Sequence, residues 1–311
     1  MSLYLKYRPS TLDEVKGNKE IVDVLKSMLD KSKRAECPHS FLLTGMSGCG
    51  KTTIGRIIGS MLNCVGSDFK EIDSGDFRGI DSVRDIRRGA NYLPQEGDCL
   101  IFLIDECHKM TNDAQSALLK ILEDTPDHVY FILCTTDPQK LLPTIKGRCS
   151  SFEVHPLNET QMYGLLRKVV KFEGKEIDKI VYDQIIQDSL GQSRNALQIL
   201  EQVLHVPVEQ QLEIAKKSAE KQSQVIELCR VLTKPNVDWK EVRSILSGLK
   251  ESKEEDAEGV RRAVLGYCQA ILLKQNNDTV AGTLEAFIDP FYNTGFPGLV
   301  YACYRVCNCK K

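Results

Sequence analysis

A chain of 311 residues with 42% hydrophobic and 27% charged side chains has the composition of a soluble, core-forming protein with room for two or three domains. Lys and Arg number 41 against 43 Asp and Glu, a formal net charge of −2, which excludes a disordered polyelectrolyte and a global basic field for nucleic acid. Any contact with DNA must come from a local patch or from several subunits acting together. The 12 cysteines stand as singles, mostly in apolar runs such as those around Cys99 and Cys134, and read as small hydrophobes in a reducing compartment. The opening Met1-Ser2-Leu3-Tyr4-Leu5-Lys6 lacks a long apolar core, and no apolar run in the chain approaches a bilayer span. The expectation is a cytoplasmic protein with no membrane partner.

In chain order, the first apolar run is Ser40–Thr44, and Gly45-Met46-Ser47-Gly48-Cys49-Gly50-Lys51-Thr52 follows it directly. A helical run, Thr53–Leu62, comes next. Further apolar runs fall at Phe69–Asp73, Leu100–Ile104, Val129–Cys134 and Ser151–Val154. Leu100–Ile104 is apolar at every position, as expected of a strand covered on both faces of a parallel sheet. Between the third and fourth runs, Ala114, Ala117, Leu118, Ile121 and Leu122 form a helical stripe that Thr125-Pro126 ends. Strand and helix alternating in this way is an α/β domain. Beyond Pro156 the strand signals stop. Asn158 with Gln161 fits a capping box opening a helix to about residue 172, and helices are expected over 179–188 and from Ser193, read as an N-cap, to 204. His205-Val206-Pro207 breaks the pattern, and helices are expected again over 223–232, 239–249, 256–273, 280–288 and 297–306. The expected domains are therefore 1–155, 156–207 and 208–311.

The segment Gly45–Thr52 matches the phosphate-loop pattern Gly-x-x-x-x-Gly-Lys-Ser/Thr, in the strand-then-helix context that the pattern requires. Backbone N–H groups of residues 45–53, Thr53 included, would surround nucleotide phosphates at a helix N-terminus. Lys51 would reach the β- and γ-phosphates, and Thr52 would hold Mg²⁺. The acidic pair Asp105-Glu106 ends a fully apolar strand, where carboxylates are costly unless they have partners or work. Asp105 suits the Mg²⁺ shell and Glu106 the activation of a water, the bland alternative being an N-cap for the next helix. Cys49, beside Lys51 and a helix N-terminus, reads as an easily ionised thiol, or else as a buried structural one. Arg84, Arg87 and Arg88 share one flank of a helix opened near Asp81-Ser82, either a solvated face or a DNA contact. Cys303, Cys307 and Cys309 lack a fourth metal ligand and read as ordinary thiols.

The runs Asp105–Met110, Ala117–Asp124 and Phe131–Lys140, with Tyr7-Arg8-Pro9 and Gly147-Arg148-Cys149, closely resemble the AAA+ ATPase subunits of DNA polymerase clamp loaders, nearest to the bacterial gamma/tau type. The resemblance is dense from Tyr7 to about Val203. It implies a P-loop AAA+ domain with a parallel sheet of order 5-1-4-3-2, a small helical lid and an all-α collar that oligomerises. It implies that Thr136, or failing that Thr135, senses the γ-phosphate, and that Arg194 is the lid's sensor arginine. It further implies that Tyr7, Arg8, Pro9 and Val15 line the adenine pocket, and that Arg148 reaches into a neighbouring subunit's site. Two departures accompany it. The gamma/tau zinc module is missing after Leu62-Asn63-Cys64, so no zinc is expected, and Gly147 stands where the family has Ser. The compact chain looks more like a phage or minimal loader.

The expected function is that of an ATP- and Mg²⁺-dependent ATPase subunit that opens a sliding clamp and loads it at primer–template DNA. Its expected partners are the other subunits of a pentameric loader and, indirectly, the replicative DNA polymerase, in a bacterial or phage-infected cell. The alternatives are a non-hydrolysing delta-prime-like scaffold, against which the intact Lys51, Thr52, Asp105 and Glu106 argue, or another AAA+ machine such as a branch-migration helicase.

Overall fold

The computed structural model describes residues 1–30, 32, 36–73, 79–222, 224–252, 257–273 and 276–308. Five strands form one sheet: β1 Ser40–Thr44, β2 Phe69–Asp73, β3 Leu100–Asp105, β4 Val129–Thr135 and β5 Ser150–Glu153. All pairings are parallel and the spatial order is 2-3-4-1-5, the implied order read from its other edge. Strand side chains alternate between two faces, and each face has its own core. Phe41, Leu43, Ile101, Leu103, Ile132 and Cys134 pack under helices α2 (Lys19–Met28) and α3 (Lys51–Met61), which follow the short α1 (Leu3–Lys6). Leu42, Leu100, Phe102, Ile104, Phe131 and Leu133 pack under α4 (Ile80–Ala90), α5 (Asn112–Glu123) and the short α6 (Pro143–Lys146). β1, β3 and β4 are buried almost throughout, whereas the edge strands β2 and β5 are half open. That is why the two edge runs carry polar residues such as Lys70, Glu71 and Ser151.

Helix α3 lies so close to the sheet that a Cβ on Gly55 would stand 2.6 Å from Leu103 Cδ1. Overpacking of that kind costs about 1–3 kcal/mol, so a small residue there keeps the helix, and the loop before it, at its distance from β3. Between α3 and β2 the chain makes a single 3₁₀ turn over Gly66–Asp68. The buried Asp68 carboxylate accepts backbone N–H bonds from Gln95, Glu96 and Gly97, at 2.7–3.0 Å. Gly147, at the C-terminus of α6, has ordinary helical angles (φ −70°, ψ −14°), and a Cβ there would meet nothing closer than 3.6 Å. The loop therefore has the geometry a serine would also adopt.

The remaining helices are α7 Glu159–Phe172, α8 Lys179–Ser189, α9 Ser193–Val203, α10 Val208–Gln222, α11 Gln224–Leu232, α12 Trp239–Ser252, α13 Ala257–Leu272, α14 Asp278–Ala286 and α15 Gly295–Asn308. The capping box before α7 forms, with Gln161 N–H donating to Asn158 Oδ1 (2.8 Å) and Asn158 N–H to Gln161 Oε1 (3.1 Å). The helix starts expected at Ser223 and Asp256 lie outside the described residues, as does Cys309; α10 is an element beyond those expected. The chain divides into two compact units, one built on residues 3–161 and 192–194, the other on 162–191 and 195–311. The helical unit has its own core, centred on Leu228, Cys229, Leu232, Val264, Cys268, Phe287 and Leu299. Within it Cys303 is buried and Cys307 half-buried. No helix among the described residues is long and apolar enough to cross a membrane.

Candidate active site

The strand-to-helix turn after β1 needs backbone angles that side chains resist. Gly45 has φ +140° and a Cβ on it would fall 2.2 Å from Val154 O, and Gly48 and Gly50 also have positive φ. The turn delivers Lys51 as the first residue of α3. Its side chain is 5% exposed, and Nζ donates to Gly45 O and Met46 O, both at 2.9 Å. The ammonium thus lies folded along the loop that would surround phosphates. Thr52, one residue on, donates from Oγ1 to Asp105 Oδ2 at 2.7 Å. A hydroxyl and a carboxylate brought together at the end of β3 are hard oxygen donors of the kind Mg²⁺ takes, so these residues fit that ion.

β3 ends at Asp105, whose Oδ1 accepts the N–H of Glu106 at 2.9 Å. Glu106 then turns into the left-handed region, φ +50° and ψ +38°, before a single 3₁₀ turn over Cys107–Lys109. A non-glycine residue there is strained by about 1–3 kcal/mol, and such strain persists where the surroundings fix it. Here the residue just after β4 does so: Thr136 Oγ1 donates to Glu106 Oε2 at 3.2 Å. Thr135, fully buried, instead accepts the Asp137 N–H at 3.0 Å and sits 3.1 Å from His108 Nδ1. Of the two threonines, Thr136 is the one that reaches Glu106.

Cys49 corrects the expectation of a readily ionised thiol. It is 9% exposed, and burial pushes its pKa up, with Lys51 opposing the shift and not reversing it. Ser193, expected as an N-cap, is the first residue of α9, and its hydroxyl donates to Gly48 O of the phosphate loop at 3.3 Å. Arg194, next to it, is exposed, with its guanidinium carbon 6.0 Å from the Tyr4 ring centroid. Val15 packs against the core cluster that holds Cys49, while Tyr7, Arg8 and Pro9 are half-buried in the turn after α1. Arg148 pairs with Glu123, at the end of α5, and donates to Thr144 O at 3.0 Å. The pairing is thus with Glu123, a residue that spacing alone did not single out. On α4, Arg84 pairs with Asp81 (2.7 Å) and Arg88 with Asp85 (3.3 Å), and Arg87 is exposed on the same helix. His108, which sequence reasoning did not treat as a site residue, lies 3.2 Å from Glu106 Oε2.

Comparison with known proteins adds kinship to this geometry. A family model described as DNA polymerase III, delta subunit, matches residues 60–158. DNA polymerase III subunit gamma/tau of Mycobacterium tuberculosis is 34% identical over 227 residues, 66% of this chain and 39% of that protein. DNA polymerase III subunit gamma of Buchnera aphidicola is 32% identical over 222 residues, 65% of this chain and 60% of that protein. The chain therefore spans less than two thirds of the length of these relatives. Among solved structures, Thermotoga maritima RuvB, titled a Holliday junction branch migration motor, aligns with a TM-score of 0.57 at 20% identity over 88% of each chain. A RuvB mutant reaches 0.62, over 86% of this chain and 91% of that one. At such identity the likeness concerns the fold alone.

Proposed function

We propose that this chain, a member of the AAA+ clamp-loader subunits, hydrolyses ATP to open a ring-shaped sliding clamp and place it on primer–template DNA. The observation that carries the reading is one hydrogen-bonded set in a single unit: Thr52 to Asp105, Asp105 to Glu106, and Glu106 to Thr136, with Lys51 over the phosphate loop. In this reading the loop amides and Lys51 bind the phosphates of ATP. Mg²⁺, held through Thr52 and Asp105, would supply charge neutralisation on the phosphate oxygens. Glu106 accepts the proton of the attacking water, Thr136 senses the γ-phosphate, and Arg194 lies beside the loop where a lid cation would meet the nucleotide. Tyr7, Arg8, Pro9 and Val15 are assigned to the adenine, and Arg148 to the site of the next subunit.

The helical part is proposed to comprise a lid, 156–207, and a collar, 208–311, through which the chain assembles with other loader subunits into a pentamer. The clamp, the DNA and, indirectly, the replicative polymerase are its proposed partners, in a bacterial or phage-infected cytoplasm. ATP binding would assemble a spiral that grips clamp and DNA, and hydrolysis would release both. Arg84, Arg87 and Arg88 are proposed phosphate contacts, each copy adding to a shared electrostatic term.

One finding favours a second reading, a non-hydrolysing scaffold: the delta-subunit model matches residues 60–158 and so begins beyond the phosphate loop. Turnover in the wild type and in Glu106→Gln separates the two. The variant should bind ATP like the wild type while turnover falls by roughly 10²–10⁴, the usual contribution of a general base. Absence of phosphate release by the wild type in the presence of clamp and DNA would refute the hydrolytic assignment, and equal, measurable turnover in the two proteins would remove Glu106 as the base.

A further inference from the structure

Glu106 is held from more sides than its assigned chemistry requires. Its backbone is turned left-handed and its N–H is tied to Asp105, so little but the side chain remains to be oriented. One carboxylate oxygen, Oε2, receives the Thr136 hydroxyl at 3.2 Å and faces His108 Nδ1 at the same distance. The His108 side chain is 11% exposed and that of Glu106 26%. An ionised carboxylate only accepts, so the ring nitrogen facing it must carry the hydrogen. Thr135 Oγ1 stands 3.1 Å from the same nitrogen and is itself fixed by the Asp137 N–H. The ring is therefore wedged between a carboxylate and a fully buried threonine, at the point where β3 and β4 end side by side. Burial lowers the imidazole pKa, which favours the neutral ring, so the single Nδ1 hydrogen bond goes to Thr135 Oγ1 while Oε2 stands 3.2 Å from the same nitrogen.

We propose that His108 is a positioning residue for Glu106: its ring, fixed by the Nδ1 hydrogen bond to Thr135, sits against Oε2 at 3.2 Å and leaves Oε1 as the oxygen that accepts the proton of water. Thr136 donates to Oε2 and His108 stands against it, so Oε1 is the less encumbered oxygen. The inference rests on the hydrolytic reading above and deepens it. If Thr136 turns to the γ-phosphate when nucleotide binds, Oε2 loses its donor. His108 is the neighbour that stays, so the base keeps its orientation through the change of state. A general base misplaced by an ångström loses roughly 10²-fold in rate, so the anchor matters at the chemical step and not in nucleotide binding.

The test is a substitution series on the full chain assembled with its partner subunits. It reads steady-state ATP turnover, affinity for a fluorescent ATP analogue and thermal stability. Asn at 108 places an amide N–H where Nδ1–H stands, Gln places it near the Nε2 position, and Ala removes it. His108→Ala and His108→Gln should lose roughly 10- to 10²-fold in kcat with nucleotide affinity unchanged, and His108→Asn should recover most of the loss. Adding His108→Ala to Glu106→Gln should cost nothing further, because the two residues act as one unit. The proposal is overturned by wild-type kcat in His108→Ala, by equal damage in His108→Asn and His108→Gln, by affinity falling in step with kcat, or by additive losses in the double variant. Should the Ala variant not fold, the Asn–Gln comparison decides alone. If the wild type shows no turnover, the hydrolytic reading fails together with this one; if Glu106→Gln turns over like an active wild type, Glu106 is not the base and this proposal fails while hydrolysis stands. A loss in Glu106→Gln beside an unaffected His108→Ala removes only the role of His108.

Discussion

Cys49 feels two opposed influences. Lys51 and the N-terminus of α3 favour the thiolate, while a side chain only 9% exposed disfavours any charge. Burial is the larger effect, and the thiol is held above its ordinary pKa. At pH 8 it should therefore react with iodoacetamide more slowly than the same cysteine in urea, and its rate should keep rising as pH increases above 9. Mass-spectrometric rates at Cys49, with Cys49→Ala as the blank, check this; modification in the native protein as fast as in urea would contradict it. The charged neighbours of Cys49 are plain in the sequence, but the packing that outweighs them is not, because it comes from a core cluster that includes residues as distant along the chain as Cys134 and Val154. Ser193 illustrates the same limit. A serine at the start of a helix reads as a cap, yet its hydroxyl serves a carbonyl of the phosphate loop 145 positions away. The left-handed Glu106 and its contact with His108 likewise depend on β4 being laid beside β3, which no local pattern encodes.

Helix α5 shows how elements, rather than residues, keep the site in register. Gln115 on its inner face is 1% exposed, and all its hydrogen bonds go to backbone: Nε2 donates to Met110 O (3.3 Å) and Lys140 O (3.2 Å), while Oε1 accepts from Leu142 N–H (2.9 Å). One side chain thus ties α5 to the turn after β3 and to the segment after β4, the two places that deliver Glu106 and Thr136. Gln115→Ala would remove the partner of three backbone groups, one buried and two part-buried, at about 1–3 kcal/mol for a buried group left unsatisfied. A loss of about 3 kcal/mol in urea unfolding is expected, with nucleotide affinity weakened alongside; a loss below about 1 kcal/mol would show that the ties are dispensable. The elements themselves were largely legible. β1, β3 and β4 are written as unbroken apolar runs because both faces are covered, and α5 carries a clear stripe ended by Thr125-Pro126. What escaped were weakly marked helices. α2 is preceded by Asn18 in a left-handed conformation without a side-chain cap, and α10 opens on an exposed Val208 with a run of polar residues. Sheet order was legible only through the resemblance, since parallel crossovers leave no trace in local periodicity.

At the scale of the whole molecule, Arg148 can act within its own chain or in a neighbouring one. The structure gives it an internal partner: the guanidinium pairs with Glu123 and donates to Thr144 O, with 36% of the arginine and 46% of the glutamate side chain exposed. An ion pair so open to water contributes about 0–1 kcal/mol, too little to hold the arginine against a competing phosphate. A guanidinium delivered to developing negative charge, by contrast, contributes roughly 10³–10⁵ in rate, or about 4–7 kcal/mol. The comparison of magnitudes favours a resting contact that is exchanged on assembly. Arg148→Ala should therefore bind ATP nearly as the wild type does, fold with unchanged stability, and lose the hydrolysis that clamp and DNA stimulate. Glu123→Gln, which releases the resting contact, should leave that stimulated rate intact. Mixing Arg148→Ala with Lys51→Ala subunits should restore turnover at interfaces where an intact Lys51 meets an intact Arg148, a rescue open only to a residue that acts between chains. If native mass spectrometry shows mixed assemblies and no rescue appears, Arg148 serves its own chain, and Glu123 is its permanent partner.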